Sequence, residues 1–286
     1  MLLGATGSFT EPRARERLAS RFAGASARAG DPEHGALALL RPWGVAGLDV
    51  EERVAVDPAS GSWLVLSGHV FRDLASGLEG RAPRAASLLL PRLAAKGVAG
   101  LGELDGSFAL AWFDGRRRRL HLVRDRFGEE PLCYGLGRGG ALFGSRSLDL
   151  VATGLLAEGL CPHGLASFLT FGFVPGEATL DAQVRRVPSG GVVVLDGAGN
   201  VLSIDRWYRP VFEDRASGGE DGPGRLRTLL EEAVARRAEG PRPAALLEDE
   251  PAVRAVASLA RRCATPSLAG FDAAALPAAE EDALAL

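Results

Sequence analysis

Residues Phe108–Phe113 (FALAWF) form an unbroken apolar run, followed by Asp114-Gly115 and then by Arg119–Val123. Asp-Gly between two such arms is a strong β-hairpin signal. A half-exposed strand alternates apolar and polar residues. This first arm is apolar on both sides, so the hairpin must sit between two layers that cover it.

The remaining elements fit around that hairpin. Ser62–Phe71 (SWLVLSGHVF) reads as a β-rich run with a bend near Gly68. Arg84–Lys96 places Leu88, Leu89, Leu93 and Ala94 at helical spacing and stops at Gly97, a favourable C-cap. Short strands are expected at Leu132–Tyr134 and Ala141–Phe143, and helices around Glu11–Phe22 and His163–Leu169. Gly191–Leu195 and Val201–Ile204 make a last hairpin about Asp196-Gly197. Glu213–Gly224 (EDRASGGEDGPG) reads as a linker. Beyond it, Leu226, Leu229, Leu230 and Val234 form one stripe of an amphipathic helix, expected to shield one face of a small sheet. That sheet is predicted from strand Ala244–Leu247, helix Ala252–Arg262 and strand Ser267–Phe271, the opening of a parallel α/β unit. The organisation expected is therefore a domain over residues 1–212, a linker over 213–224 and a short α/β remnant over 225–286.

Charge and cysteine content narrow the function classes. With 33 basic and 36 acidic side chains the net charge is −3, which gives no reason to expect nucleic acid as a partner. No apolar run is long enough for a membrane span, and Met1–Phe9 lacks the basic start of a signal peptide. The three cysteines, Cys133, Cys161 and Cys263, are too scattered for a disulfide framework or a zinc cage. A cytoplasmic location is the expectation.

Several ordered segments carry a family resemblance. Leu104–Asp114 (LDGSFALAWFD), then Val123–Gly128 (VRDRFG) and Pro131-Leu132, is similar to the LxGxFAFAxxD…ARDRxGxKPLYY signature of asparagine synthetases. Gly144-Ser145 resembles the family's FASE segment. Leu169–Gly176 (LTFGFVPG) resembles its YLxFGYVPxP stretch, Arg185–Gly190 its KLPPGH stretch, and Arg206-Trp207-Tyr208 its RYW element. The resemblance is to the glutamine-hydrolysing asparagine synthetase family. It implies an α+β fold, a four-layer α-β-β-α sandwich of the N-terminal-nucleophile hydrolase kind (a class II glutamine amidotransferase domain). An ATP- and Mg2+-dependent synthetase domain would follow, here truncated and degenerate.

That chemistry requires a cysteine thiolate beside its own α-amino group. The family begins MCGIxGxF. Anchoring on Gly4, Gly7 and Phe9 puts Leu3 at the nucleophile position. Thr6 or Ser8 would serve only after removal of a short pro-peptide. The family's FNGEIYN segment falls on Leu66–Arg72, with Ser67 at the oxyanion-binding Asn and His69 at the ammonium-binding Glu. Gly68 alone is kept, its N–H able to contribute to an oxyanion hole. The HRGPD segment corresponds to Ala29–His34, without the carboxylate-binding Arg. Arg84 or Ala85 stands at the Asp of SDTE. His69 reads either as a hydrogen-bonded filler or as a new base or ligand.

The ATP loop fares no better. Laying LSGGLDSS on Leu247 onward puts Glu248, Asp249, Glu250 and Ala252 where Ser, two Gly and Asp would hold pyrophosphate. With Leu246 before the loop and Ala269 on the next strand, these are the vestigial ATP positions. Three carboxylates there repel a polyphosphate, so no cofactor is expected. They read as a helix N-terminus, with a divalent-metal site as the alternative. A catalytically inactive binding or scaffold subunit is the function expected, working with a full-length homologue or a biosynthetic partner, or self-associating through residues 225–286. The alternative is a retained amidotransferase or ATP-dependent amide-forming enzyme that works atypically or with a partner subunit.

Overall fold

The computed structural model describes residues 2–7, 27–31, 36–40, 53–73, 78–79, 84–137, 139–212, 222–238, 244–247, 251–263 and 269–272, with helical positions Arg13, Glu16 and Arg17. In chain order the strands begin with β1 (Leu2–Gly7), β2 (Ala27–Asp31), β3 (Ala36–Leu40), β4 (Val54–Asp57), β5 (Ser62–Asp73) and β6 (Leu78–Glu79). Helix α1 (Ala85–Lys96) precedes β7 (Leu104–Asp114), β8 (Arg119–Arg124), β9 (Cys133–Gly137) and β10 (Gly140–Gly144). Then come α2 (Ser147–Val151), α3 (Pro162–Phe171), β11 (Val184–Arg186), β12 (Gly191–Asp196) and β13 (Val201–Arg206).

These strands form two sheets. One has the order β11-β9-β10-β1-β3-β2, the other β13-β12-β8-β7-β5-β4 with β6 beside β5. The hairpin expected at Asp114-Gly115 is β7–β8, in antiparallel register from Asp114↔Arg119 back to Ala109↔Arg124. Its two-sided apolarity has the predicted consequence. Ala109, Ala111 and Phe113 pack between the sheets with Trp63, Val65, Tyr134, Phe143 and Val193. Phe108, Leu110 and Trp112 point the other way, onto α1 through Leu89, Leu90 and Leu93. A third cluster covers the far side of the other sheet, where Leu3, Ala5 and Leu142 meet Leu150 of α2. The layers are therefore α1, sheet, sheet, α2, an α-β-β-α sandwich. Most strand and helix ends shift by one or two residues from the expected ones; the hairpin's first arm starts four residues earlier, at Leu104, the strand expected at Leu132–Tyr134 runs on to Gly137, and the helix after the linker begins at Gly222, inside the expected linker, while the expected helix at Glu11–Phe22 lies largely outside the described residues.

The chain divides into two compact units, the first comprising residues 1–78 and 82–210 and the second 79–81 and 211–286. In the second, α4 (Gly222–Ala238), β14 (Ala244–Leu247), α5 (Pro251–Cys263) and β15 (Ala269–Asp272) are described. β14 and β15 pair in parallel, Ala244 opposite Ala269 and Leu246 opposite Phe271. Arg262 of α5 lies 3.5 Å from Glu231 of α4. The stripe expected to shield the sheet does not do so: Leu226, Leu229 and Leu230 are exposed and no residue of α4 is buried. The arginines and glutamates interleaved with them leave that helix too polar a surface to be drawn inside.

Candidate functional site

Arg124 and Asp125, at the centre of the VRDRFG segment, organise the loop that follows β8. Asp125 is completely buried. Its Oδ1 accepts the backbone N–H groups of Phe127 (3.0 Å), Gly128 (2.7 Å) and Glu129 (3.0 Å). Its Oδ2 accepts that of Glu130 (2.9 Å). Four amides directed at one carboxylate satisfy the charge that burial would otherwise penalise. The Arg124 guanidinium donates to the carbonyls of Gly128, Glu130 and Val187. Trp207 Nε1 donates to the Arg124 carbonyl at 2.9 Å, and the Arg126 guanidinium lies 5.0 Å from the centre of the Tyr208 ring. The motif and the distant Arg206-Trp207-Tyr208 element thus form one assembly, which builds a loop and contains no exposed nucleophile or base.

The product of that loop is the position of Glu130. Its carboxylate Oε2 accepts a hydrogen bond of 3.2 Å from the hydroxyl of Ser67. The side chain lies across Gly68, which has φ +85°, where an added Cβ would be 2.6 Å from Glu130 Cγ and would collide with the Ser107 carbonyl. Burial holds the Glu130 carboxyl above the usual carboxylate range, opposed by the hydrogen bond from Ser67. Of the positions singled out in the sequence, Ser67 and Gly68 are therefore brought together, and the group they meet is one that sequence reasoning missed. A signal was present, since Glu130 stands at the lysine of the GxKPLYY signature.

The other positions are apart from this pair. His69 is half-buried, opposite Ser107 in the β5–β7 register, with its ring 6.2 Å from that of Phe71. Arg84 is exposed at the start of α1, in a left-handed conformation at φ 57°. Leu3 is fully buried in the cluster beneath α2. Its neighbour Leu2 packs between the sheets with Trp63 and Val65. Alternation along β5 puts Ser67 on the same side as Trp63 and Val65. Leu3 thus faces away from the layer toward which Ser67 points. Ser145 pins this strand, accepting the Leu2 N–H on its hydroxyl and donating its own N–H to the Leu2 carbonyl, each at 2.9 Å. Cys133 shares the cluster of Leu3, and burial pushes its thiol up to about 11, so it carries no thiolate at neutral pH.

In the second unit, Leu246 is in β14 and Ala269 opens β15, while Ala252 is exposed in the first turn of α5. Glu248, Asp249 and Glu250 lie outside the described residues. Helix α5 begins at Pro251, which has no N–H to offer a phosphate. Among the described residues no group of three or more His, Cys, Asp or Glu could hold a metal ion. No described helix is long and apolar enough to cross a membrane.

Residues 57–208 match the glutamine amidotransferase domain family. Putative asparagine synthetases (glutamine-hydrolysing) from Mycobacterium bovis and Mycobacterium tuberculosis are 30% identical to this chain over 142 residues. That match covers 48% of this chain and 22% of each relative, so the chain spans about a fifth of their length. Among solved structures, glutamine phosphoribosylpyrophosphate amidotransferase from B. subtilis complexed with ADP and GMP superposes with a TM-score of 0.45 at 12% identity, covering 95% of this chain and 65% of that one. A structure described as the allosteric regulatory enzyme of purine biosynthesis gives 0.45 at 13% identity, with 95% and 64% covered.

Proposed function

We propose, for a chain that belongs to the glutamine amidotransferase domain family and resembles its asparagine synthetase members, that the fold is kept as a catalytically inactive binding or scaffold subunit. The observation that carries this reading is the carboxylate of Glu130 on Ser67 and over Gly68. Hydrolysis of an amide builds negative charge on the carbonyl oxygen, and an active site needs donors aimed at it. In this chain the residue at the Asn position gives its proton to a carboxylate instead. A second negative charge ~4 Å from a developing oxyanion would cost about 4 kcal/mol at an effective dielectric near 20, roughly three powers of ten in rate.

The nucleophile position reinforces the reading. Leu3 has no group that can attack a carbonyl, and its side chain belongs to the core under α2. Glu248, Asp249 and Glu250 extend the same reading to ATP, which the second unit is expected not to bind. The partner fitting such a subunit is a full-length homologue or another enzyme of the same pathway.

Glutamate release from glutamine by the purified chain tests the proposal. No turnover above buffer is expected. Turnover that follows the protein through purification and disappears in Ser67→Ala would overturn it.

A further inference from the structure

Helix α3 has its faces reversed. A surface helix normally buries its large apolar residues and exposes small or polar ones. In α3 the buried residues are Gly164 and Ser167. Gly164 passes so close to Thr179 that a Cβ would strike its carbonyl oxygen. The large residues are outside: Leu165 is 38% exposed, Phe168 44% and Leu169 75%. Phe171 (60%) and Phe173 (61%) extend the patch past the C-cap Gly172, their rings 6.3 Å apart.

The patch is large enough to matter. At ~200 Å² per aromatic side chain, the three phenylalanines alone expose roughly 300 Å². A patch of that size on a monomer is commonly a binding surface. Standard interfaces cover ~800 Å² on each partner, a little over half of it apolar. With Leu165 and Leu169 added, this patch supplies the apolar core of one such face.

Charge selects the occupant. No Asp, Glu, Lys or Arg occurs between Glu158 and Glu177. In a two-fold contact each surface meets its own copy, so any charge near the axis is brought toward its duplicate. The span itself avoids that repulsion; the charge beside it is the Arg186 guanidinium, which is occupied by the Val174 and Gly176 carbonyls at the end of the patch, beyond Phe173. The exposed leucines of α4 differ on this point, because Arg225, Arg227, Glu231 and Glu232 stand among them.

We propose that α3 and the Phe171–Phe173 turn form a homodimer interface, on which a second copy of this chain docks. This goes beyond the loss of catalysis and does not depend on it. Sedimentation velocity of the full chain over about 1 to about 100 µM should show a dimer. Because Phe168 and Leu169 are already exposed, F168E with L169E should keep the circular dichroism spectrum while sedimenting as a monomer throughout. L226E with L229E should leave the dimer intact. A monomeric wild-type chain would overturn the proposal. So would a dimer that survives F168E/L169E, or one lost only in L226E/L229E, which would assign self-association to residues 225–286. Recovery of the chain as a monomer with an unrelated protein seated on α3 would also count against it.

Discussion

Ser67 and Glu130, 63 positions apart, meet through a 3.2 Å hydrogen bond in which the serine hydroxyl is the donor. The bond joins β5 to the loop after β8, and the loop owes its shape to Asp125. The arrangement makes Glu130 a liability when ionised. Its folded-state carboxyl is held above its ordinary value of 4.5 by burial, against the hydrogen bond from Ser67, the amino-terminal charge and Arg53, and with Asp125 adding to the rise. A raised carboxyl stabilises the fold below the unfolded value, and that contribution is lost as pH climbs through the folded value. Glu130→Gln should therefore melt higher than wild type at pH 7, with the gap closing as pH falls toward 4.5. A gap independent of pH would contradict the linkage.

Asp125 should be the more sensitive position. Replacing it with Ala removes the carboxylate that accepts four amides, of which Gly128 alone keeps a bond to this residue, to its backbone carbonyl at 3.2 Å. Charge-assisted bonds of this kind are worth ~1.5–3 kcal/mol each and are not additive, so a loss of about 3 kcal/mol or more is expected. Asp125→Asn retains an oxygen for the three amides on Oδ1 and should recover part of it. Denaturant melts of the two variants decide this, and equal midpoints for wild type and Asp125→Ala would refute the role given to the loop.

His121 sets a second pH window. Its ring stacks on Trp112 at 4.2 Å between centroids, and burial lowers it from 6.5 to about 4. A depressed histidine contributes stability that is whole above its unfolded value and disappears as pH falls through its folded one. The span from 6.5 to about 4 is worth ~3 kcal/mol at most. His121→Phe keeps the stacking and removes the titration, so its melting temperature should fall less steeply between pH 6.5 and 4. Parallel curves would rule the histidine out.

Gly68 fixes the geometry from the other side. Its φ of +85° and the nearness of the Ser107 carbonyl leave no room for a side chain. Gly68→Ala should cost about 2 kcal/mol or more, combining backbone strain with a forced shift of β7 or Glu130. A thermal midpoint within a degree of wild type would show that the site yields easily.

Much of this fold was legible in the sequence because it rests on local pattern. The run Phe108–Phe113 with Asp114-Gly115 specified both the hairpin and its burial on two faces. The VRDRFG segment pointed to the right family, yet its residues build a loop, a role that no spacing rule distinguishes from catalysis. Glu130 over Gly68 is a contact between distant segments, visible only once β5, β7 and β8 are in register. The side of the sheet taken by Leu3 is another such case. A strand reverses its faces with every residue, so aligning Leu3 with a nucleophile fixed its place in the chain and left its direction open. The reversed faces of α3 were hidden for a different reason: helical spacing locates an apolar stripe without telling whether the fold or a partner covers it.

The direction of Leu3 has a consequence of its own. A thiol at position 3 would sit in the cluster with Ala5, Leu142 and Leu150, beneath α2. Burial there should raise its pKa, as burial does for Cys133 in the same cluster. Deprotonation and access both fail, so Leu3→Cys should not hydrolyse glutamine and its new thiol should resist iodoacetamide until the protein unfolds. Losing the leucine's volume should cost about 2 kcal/mol from the cavity left behind. Mass spectrometry of the folded variant after timed alkylation gives the answer, with Cys133 as the internal standard. Labelling at position 3 well ahead of Cys133 would show that the strand presents this residue to solvent, and the case for a lost active site would then rest on Ser67 and Glu130 alone.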